Sequence, residues 1–173
     1  MSAADLVAVL RAFAVIPIAW LVLTGGNILA LAIFIVAALS DAVDGWLARR
    51  AGVTARGAFL DPLADKILVV GTLTALAWAG AGWPVTLVAI LAAAREGLVL
   101  VLRWRALVRG TTLPADAIAK AKTTAEMLGI ALILVGGRPW SVLGVGLAGV
   151  AVAVGMLRLP RYFAEAGRAR LNT

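Results

Sequence analysis

Residues 28–66 read ILALAIFIVAALSDAVDGWLARRAGVTARGAFLDPLADK, and the fold turns on how this stretch is read. From Ile28 to Leu39 it carries no charge. From Ser40 to Arg50 it gathers Asp41, Asp44, Arg49 and Arg50. The glycines of Ala51–Gly57 mark a loop, and a second apolar run then opens near Phe59 with Asp61, Asp65 and Lys66 close to its start. Composition fixes the medium in which such runs fold. Of 173 residues, 63% are hydrophobic and 14% charged, and the mean hydropathy is +1.02. A soluble domain is nearer half apolar and a quarter charged, so a water-borne globule of this composition would lack polar surface to cover itself. The chain therefore reads as an all-α, polytopic membrane protein. At roughly 20 residues per span it has room for about six transmembrane helices.

Outward from this stretch the same pattern continues. An apolar run, Ala12–Leu23, precedes it and closes on Thr24-Gly25-Gly26-Asn27. The run that opens at Phe59 extends to Ala79 and ends in the turn Gly80-Ala81-Gly82-Trp83-Pro84. Val85–Leu102 is the fourth run, interrupted by Arg95-Glu96, and Arg103–Pro114 is a basic connection. The fifth run, Ala115–Val135, holds Lys120, Lys122 and Glu126 in its first half. After the turn Gly136-Gly137-Arg138-Pro139, Trp140–Leu159 is the sixth. Residues 1–10 suit a short interfacial helix, with no basic leader or cleavage pattern, and residues 161–173 form a basic tail. A single domain over 1–173 is expected, without internal repeats. The connections after the second and fourth runs, with the tail, carry ten arginines, whereas those after the first, third and fifth carry only Arg138. Cytoplasmic loops hold the basic excess, so both termini are expected in the cytoplasm. Trp20, Trp78, Trp83 and Trp140 would lie at the opposite interface, and Trp46 and Trp104 at the near one.

The chain has no Cys and no His. Disulfides, thiol nucleophiles, Ser-His-Asp triads and the usual zinc sites are excluded. Any bound metal must be held by oxygen, which favours Mg²⁺, Mn²⁺ or Ca²⁺, and any general base must be a carboxylate, Lys or Tyr. The net charge of +7 fits basic loops against anionic headgroups and implies no nucleic-acid partner.

Charge inside a bilayer is expensive and points to function. Four of the nine acids fall within 25 residues: Asp41, Asp44, Asp61 and Asp65. Asp41 and Asp44 are spaced i, i+3 at the end of one helix, and Asp61 and Asp65 i, i+4 near the start of the next. Each pair shares a face, and the short link makes the helices antiparallel neighbours. Converging carboxylates need a cation between them, and one or two divalent metals would supply it. The alternative is a solvated network with Arg49, Arg50, Arg56 and Lys66. A metal pair would clamp a diphosphate. Gly45 and Gly57 would admit it to the backbone or serve helix packing, and Arg49 and Thr54 are suitable donors to a phosphate or a nucleobase.

Written out, the positions are Asp41-x2-Asp44-Gly45-x2-Ala48-Arg49-x7-Gly57-x3-Asp61-x3-Asp65. This resembles the signature of the CDP-alcohol phosphatidyltransferases, and the six-helix layout extends the likeness over most of the chain. The resemblance implies transfer of a phosphatidyl group from CDP-diacylglycerol to an alcohol with release of CMP. It implies two Mg²⁺ or Mn²⁺ ions, Asp41 and Asp61 bridging both, Asp44 and Asp65 completing one site each, and Asp65 as general base. Gly45, Ala48, Arg49, Thr54 and Gly57 would contact the CDP-diacylglycerol. A homodimer in the cell membrane, its active site facing the cytoplasm, is also implied.

The stretches Gly57–Lys66, Ala94-Arg95-Glu96 with Arg103, and Lys120-x-Lys122-Thr123-Thr124 resemble the branch whose acceptor is glycerol 3-phosphate. Arg95, Arg103, Lys120 and Lys122 would then bind the acceptor phosphate. Arg95 has the alternative of pairing with Glu96 or Glu126, and Lys120 and Lys122 that of reaching to the interface. Two positions depart from the branch: Ala3–Arg11 lacks its Asn-rich, Pro-containing pattern, and Ala119 stands where it has Gly. Competing functions are the same chemistry on inositol phosphate or phosphatidylglycerol, a divalent-cation transporter, and an inactive membrane module. Gly45, Arg49 and the second basic set would be idle in a cation pathway.

Overall fold

The computed structural model describes the backbone of residues 3–51, 57–108, 117–160 and 163, with side chains for 5–40, 62–105, 108, 121–160 and 163. Among the described residues there are seven helices and no strand. They are α1 (Ala3–Phe13), α2 (Val15–Leu23), α3 (Asn27–Ala51), α4 (Gly57–Trp78), α5 (Trp83–Val108), α6 (Ala117–Val135) and α7 (Arg138–Leu157).

The first two are nearly one helix. Pro17 lacks an N–H and its ring crowds the carbonyl four residues back, so regular helix breaks between Phe13 and Val15. Hydrogen bonds still pass through the break: Ala14 donates to the Leu10 carbonyl at 3.0 Å, and Ile18 to that of Ala14 at 3.2 Å. Asp5–Leu23 accordingly forms one apolar span of 19 residues. The segment expected as an interfacial helix therefore leads straight into this span, and α1 packs along α3 and α4 with Asp5 and Arg11 buried.

Two boundaries differ from the sequence reading. Residues 103–108, expected in a basic connection, continue α5 as helix, because Arg, Trp, Ala and Leu sustain a helix and the first strong breaker is Gly110. Arg138 and Pro139, expected in a turn, form the first turn of α7, where the missing proline N–H costs nothing. Gly136 and Gly137 both have φ of 76° and reverse the chain within two residues, which sets α6 and α7 antiparallel. At their crossing a Cβ on Gly129 would stand 2.7 Å from the Gly144 carbonyl oxygen, a backbone approach open only to glycine.

Among the described residues, three helical spans are long and apolar enough to cross a membrane: Asp5–Leu23, Trp83–Arg105 and Arg138–Leu157. The surface agrees with lipid as solvent. Ile16, Ile28, Val36, Ile90, Val142 and Val150 are exposed, while Arg11, Arg95, Glu96, Lys122 and Glu126 are buried. Exposed apolar area this extensive is not stable in water. Trp20, Trp78, Trp83 and Trp140 are all exposed, and they sit beside the turns at Gly25, Gly80 and Gly136, as an interfacial belt requires. At the centre stands α4, which touches α1, α2, α3, α5 and α6. Its middle supplies Leu68, Val69 and Leu73 to the core, where they meet Ile18, Phe34 and Ile130.

Candidate functional site

Asp41 and Asp44 lie toward the end of α3 and Asp61 and Asp65 near the start of α4. The helices touch one another, and only residues 52–56 separate them. Gly45, Ala48 and Arg49 share the end of α3, and Gly57 begins α4. The side chains of Asp41, Asp44, Ala48, Arg49 and Asp61 lie outside the described residues, as does Thr54 entirely.

Asp65 is described, and its surroundings tie the two acid-bearing helices together. The Arg11 guanidinium, reaching from α1, donates through Nη1 to Asp65 Oδ1 at 2.5 Å and through Nε to Ser40 Oγ at 3.1 Å. Ser40 immediately precedes Asp41, and its hydroxyl donates to the Ala37 carbonyl at 2.8 Å. One guanidinium thus contacts the residue before the first acid and the carboxylate of the last. The Arg11 side chain is fully shielded from solvent and that of Asp65 is 19% exposed. A buried charge of this kind is held by its partners or not at all.

A second cluster begins one residue along. Successive residues on a helix point about 100° apart, so Asp65 meets α1 while Lys66 meets α5. Lys66 donates to Glu96 Oε2. Glu96 Oε1 accepts from Arg95 Nη1 and from Lys122 Nζ, the latter at 2.6 Å. Lys122 also donates to both oxygens of Glu126, at 2.8 and 2.9 Å. One carboxylate therefore joins cations from α4, α5 and α6 inside the bundle. Arg95, Glu96, Lys122 and Glu126 are all buried, so Lys122 does not reach out to the interface. The pairing of Arg95 with Glu96, open from sequence, is present. Arg103 lies farther along α5, and its Nε is buried without a hydrogen-bond acceptor among the described residues. Lys120 is on α6, its side chain outside the described residues.

The structure brings Arg95 and Lys122 together. Sequence reasoning missed Arg11 as a partner of Asp65, Lys66 as a member of the basic cluster, and Glu96 as its centre. The position of Glu96 within an apolar run was the available signal. As for a metal, the carboxylates carried by α3 and α4 make an oxygen-only donor set, which fits a hard divalent cation and no soft one. Asp41, Asp44, Asp61 and Asp65 are the residues that would hold it.

A family model described as CDP-alcohol phosphatidyltransferase matches residues 1–157. The chain belongs to this family. It is a membrane transferase of phospholipid biosynthesis, in a family that generally uses divalent metal ions. The chain is 42% identical over 125 residues to the "CDP-diacylglycerol--glycerol-3-phosphate 3-phosphatidyltransferase" of Sodalis glossinidius, covering 70% of this chain and 68% of that one. It is 38% identical over 138 residues to the protein of the same name from Shigella flexneri serotype 5b, covering 78% and 76%. The Salmonella choleraesuis protein of that name is 36% identical over 155 residues, covering 87% and 82%.

Proposed function

We propose that this transferase moves the phosphatidyl group of CDP-diacylglycerol to sn-glycerol 3-phosphate, forming phosphatidylglycerophosphate and releasing CMP. The relatives' names support the substrate pair. The observation that carries the acceptor is the contiguity of the two clusters: Lys66 of the basic set follows Asp65 directly and shares Glu96 with Arg95 and Lys122. An acceptor with a phosphate at one end and a reacting hydroxyl at the other needs cations and a base side by side.

In this reading the acceptor phosphate is received by Arg95, Arg103, Lys120 and Lys122, which leaves its free hydroxyl near Asp65. Asp65 takes the hydroxyl proton as the oxygen attacks the β-phosphorus. The new P–O bond forms as the bond to the CMP oxygen breaks, and CMP departs toward the cytoplasm. Gly45, Ala48, Arg49, Thr54 and Gly57 hold the CDP portion of the lipid. Two Mg²⁺ or Mn²⁺ ions, held by Asp41, Asp44, Asp61 and Asp65, would neutralise the diphosphate and the charge that develops on the leaving group. Positioning and electrostatics then supply most of the rate. Six spans, both termini in the cytoplasm, and a homodimer in the cell membrane complete the proposal.

The test is CMP release by the purified protein given CDP-diacylglycerol and, in turn, glycerol 3-phosphate, inositol phosphate, phosphatidylglycerol and glycerol. Turnover confined to glycerol 3-phosphate supports the reading. Equal turnover with glycerol would show that no phosphate is recognised.

A further inference from the structure

Arg95 and Lys122 are pinned at their charged ends by Glu96 and Glu126, and their stems lie against α7. There the contact is Gly155, which is buried. A Cβ at this position would stand 2.9 Å from Lys122 Cδ, 3.0 Å from Arg95 Nε and 3.5 Å from Arg95 Cζ. Carbon atoms in good contact are about 3.5–4.0 Å apart, so the approach to Lys122 Cδ is an overlap and that to Arg95 Nε is tight. A flexible side chain ordinarily relieves such an overlap by swinging away. These two are tethered: Lys122 Nζ lies 2.6 Å from Glu96 and within 2.9 Å of both Glu126 oxygens, and Arg95 bonds the same Glu96 oxygen.

Helix α7 is seated closely along this face. The helix is locked to α6 where Gly144 meets Gly129, a Cβ on Gly144 falling 2.5 Å from the Gly129 carbonyl oxygen. Ala148, Ala151 and Val152 continue the same buried face toward Gly155. A methyl group on Gly155 presses on two stems whose heads Glu96 holds, and so strains the positions of those heads. Neighbouring glycines of α7 carry no such constraint. A Cβ on Gly146 would meet nothing within 4 Å, and one on Gly149 only Val88 Cγ2 at an ordinary 3.7 Å.

We infer that Gly155 is a positioning residue for the acceptor phosphate, its missing side chain being the notch that seats Arg95 and Lys122. This rests on the reading that these two cations bind that phosphate. It also assigns α7, which carries none of the motif residues, a part in acceptor choice.

The experiment compares Gly155→Ala with Gly146→Ala in the full-length protein, measuring both KM values, kcat, and calorimetric affinity for glycerol 3-phosphate. Gly155→Ala should raise the acceptor KM and weaken binding on the order of 10-fold, the effect of losing one charge-assisted hydrogen bond. The CDP-diacylglycerol KM should stay within about twofold in both variants, and Gly146→Ala should match wild type throughout. Because the effect passes through Lys122, adding Gly155→Ala to Lys122→Gln should raise the acceptor KM less than it does in the wild-type background. Wild-type acceptor KM in Gly155→Ala, or an equal rise for both substrates, overturns the inference. If Lys122→Gln and Arg95→Gln leave the acceptor KM unchanged, the acceptor-site reading itself falls. Should Gly155→Ala fail to fold, the pair Gly155→Ala with Lys122→Ala removes the closest overlapping stem. The pair is compared with Lys122→Ala alone: little further loss of folded protein supports the contact, and a loss as complete as in the wild-type background refutes it.

Discussion

Replacing Glu96 by Gln keeps the shape of the side chain and removes its charge, which makes it a direct probe of the bundle's polar interior. In the wild type one oxygen of Glu96 accepts from Arg95 and Lys122 and the other from Lys66. An amide offers one accepting oxygen and a donating NH₂, so at least one cation would face a donor. Arg95 and Lys66 would also lose the anion on which they converge. Removing one partner of a buried ion pair costs about 3–5 kcal/mol, chiefly through the charge left behind. Glu126→Gln should cost less, about 1.5–3 kcal/mol, the worth of a charged hydrogen bond. The difference follows from the geometry: Lys122 keeps Glu96 as a partner when Glu126 is neutralised. At about 2–4 °C per kcal/mol for a chain of this length, Glu96→Gln should melt roughly 6–20 °C below wild type in detergent micelles. Tryptophan fluorescence would follow the transition. Adding Lys66→Gln to Glu96→Gln removes one of the stranded charges and should recover part of the loss. A melting point for Glu96→Gln within about 2 °C of wild type would refute Glu96 as the joint of the three helices, and so would a larger loss from Glu126→Gln.

Chelation should abolish CMP release and Mg²⁺ or Mn²⁺ restore it, because a carboxylate-only donor set suits hard cations; full turnover after exhaustive chelation would end the two-metal reading. Arg11→Gln should destabilise by less than Glu96→Gln when melted under the same conditions, since it strands one partly solvated carboxylate rather than several buried cations; a loss equal to or larger than that of Glu96→Gln would contradict this ordering. Gly144→Leu should separate α6 from α7 and lower the melting temperature, whereas Gly146→Leu, facing open space, should not; equal melting of the two variants would show that the backbone approach at Gly129 is not a packing constraint.

What was legible in the sequence is what local spacing and composition control. The i, i+3 and i, i+4 acids lie on α3 and α4 as expected, and the turns at Gly25, Gly80 and Gly136 stand where glycine allows positive φ. The misplaced boundaries have local causes too. Arg103 and Arg105 read as a connection because they are charged, yet charge at a helix end does not break a helix, whereas Gly and Pro do.

Apart from Arg95 with Glu96, the pairing of the buried charges was not legible, because it joins residues distant in sequence. Arg11 meets Asp65 across 54 positions, Lys66 meets Glu96 across 30, and Glu96 meets Lys122 across 26. No periodicity reports such contacts; they depend on which helices touch. Adjacency alone does not bring Arg95 and Glu96 together, since consecutive residues start on different faces of α5, and the length of the arginine side chain lets them meet. Elimination offers a partial route. A cation deep in the bundle must find an anion there, and the acids on α5 and α6 are Glu96 and Glu126 alone. With Arg11 on Asp65, Lys66 is turned toward α5, where Glu96 is the carboxylate available. That argument needs one fact a sequence does not hold, namely that α1 lies against α4. Once it is known, scarcity of acid in an apolar interior leaves few other arrangements for Lys66, Arg95 and Lys122. The same scarcity explains why a single residue, Glu96, can join three helices: the interior that makes its charge costly also leaves the surrounding cations few alternatives.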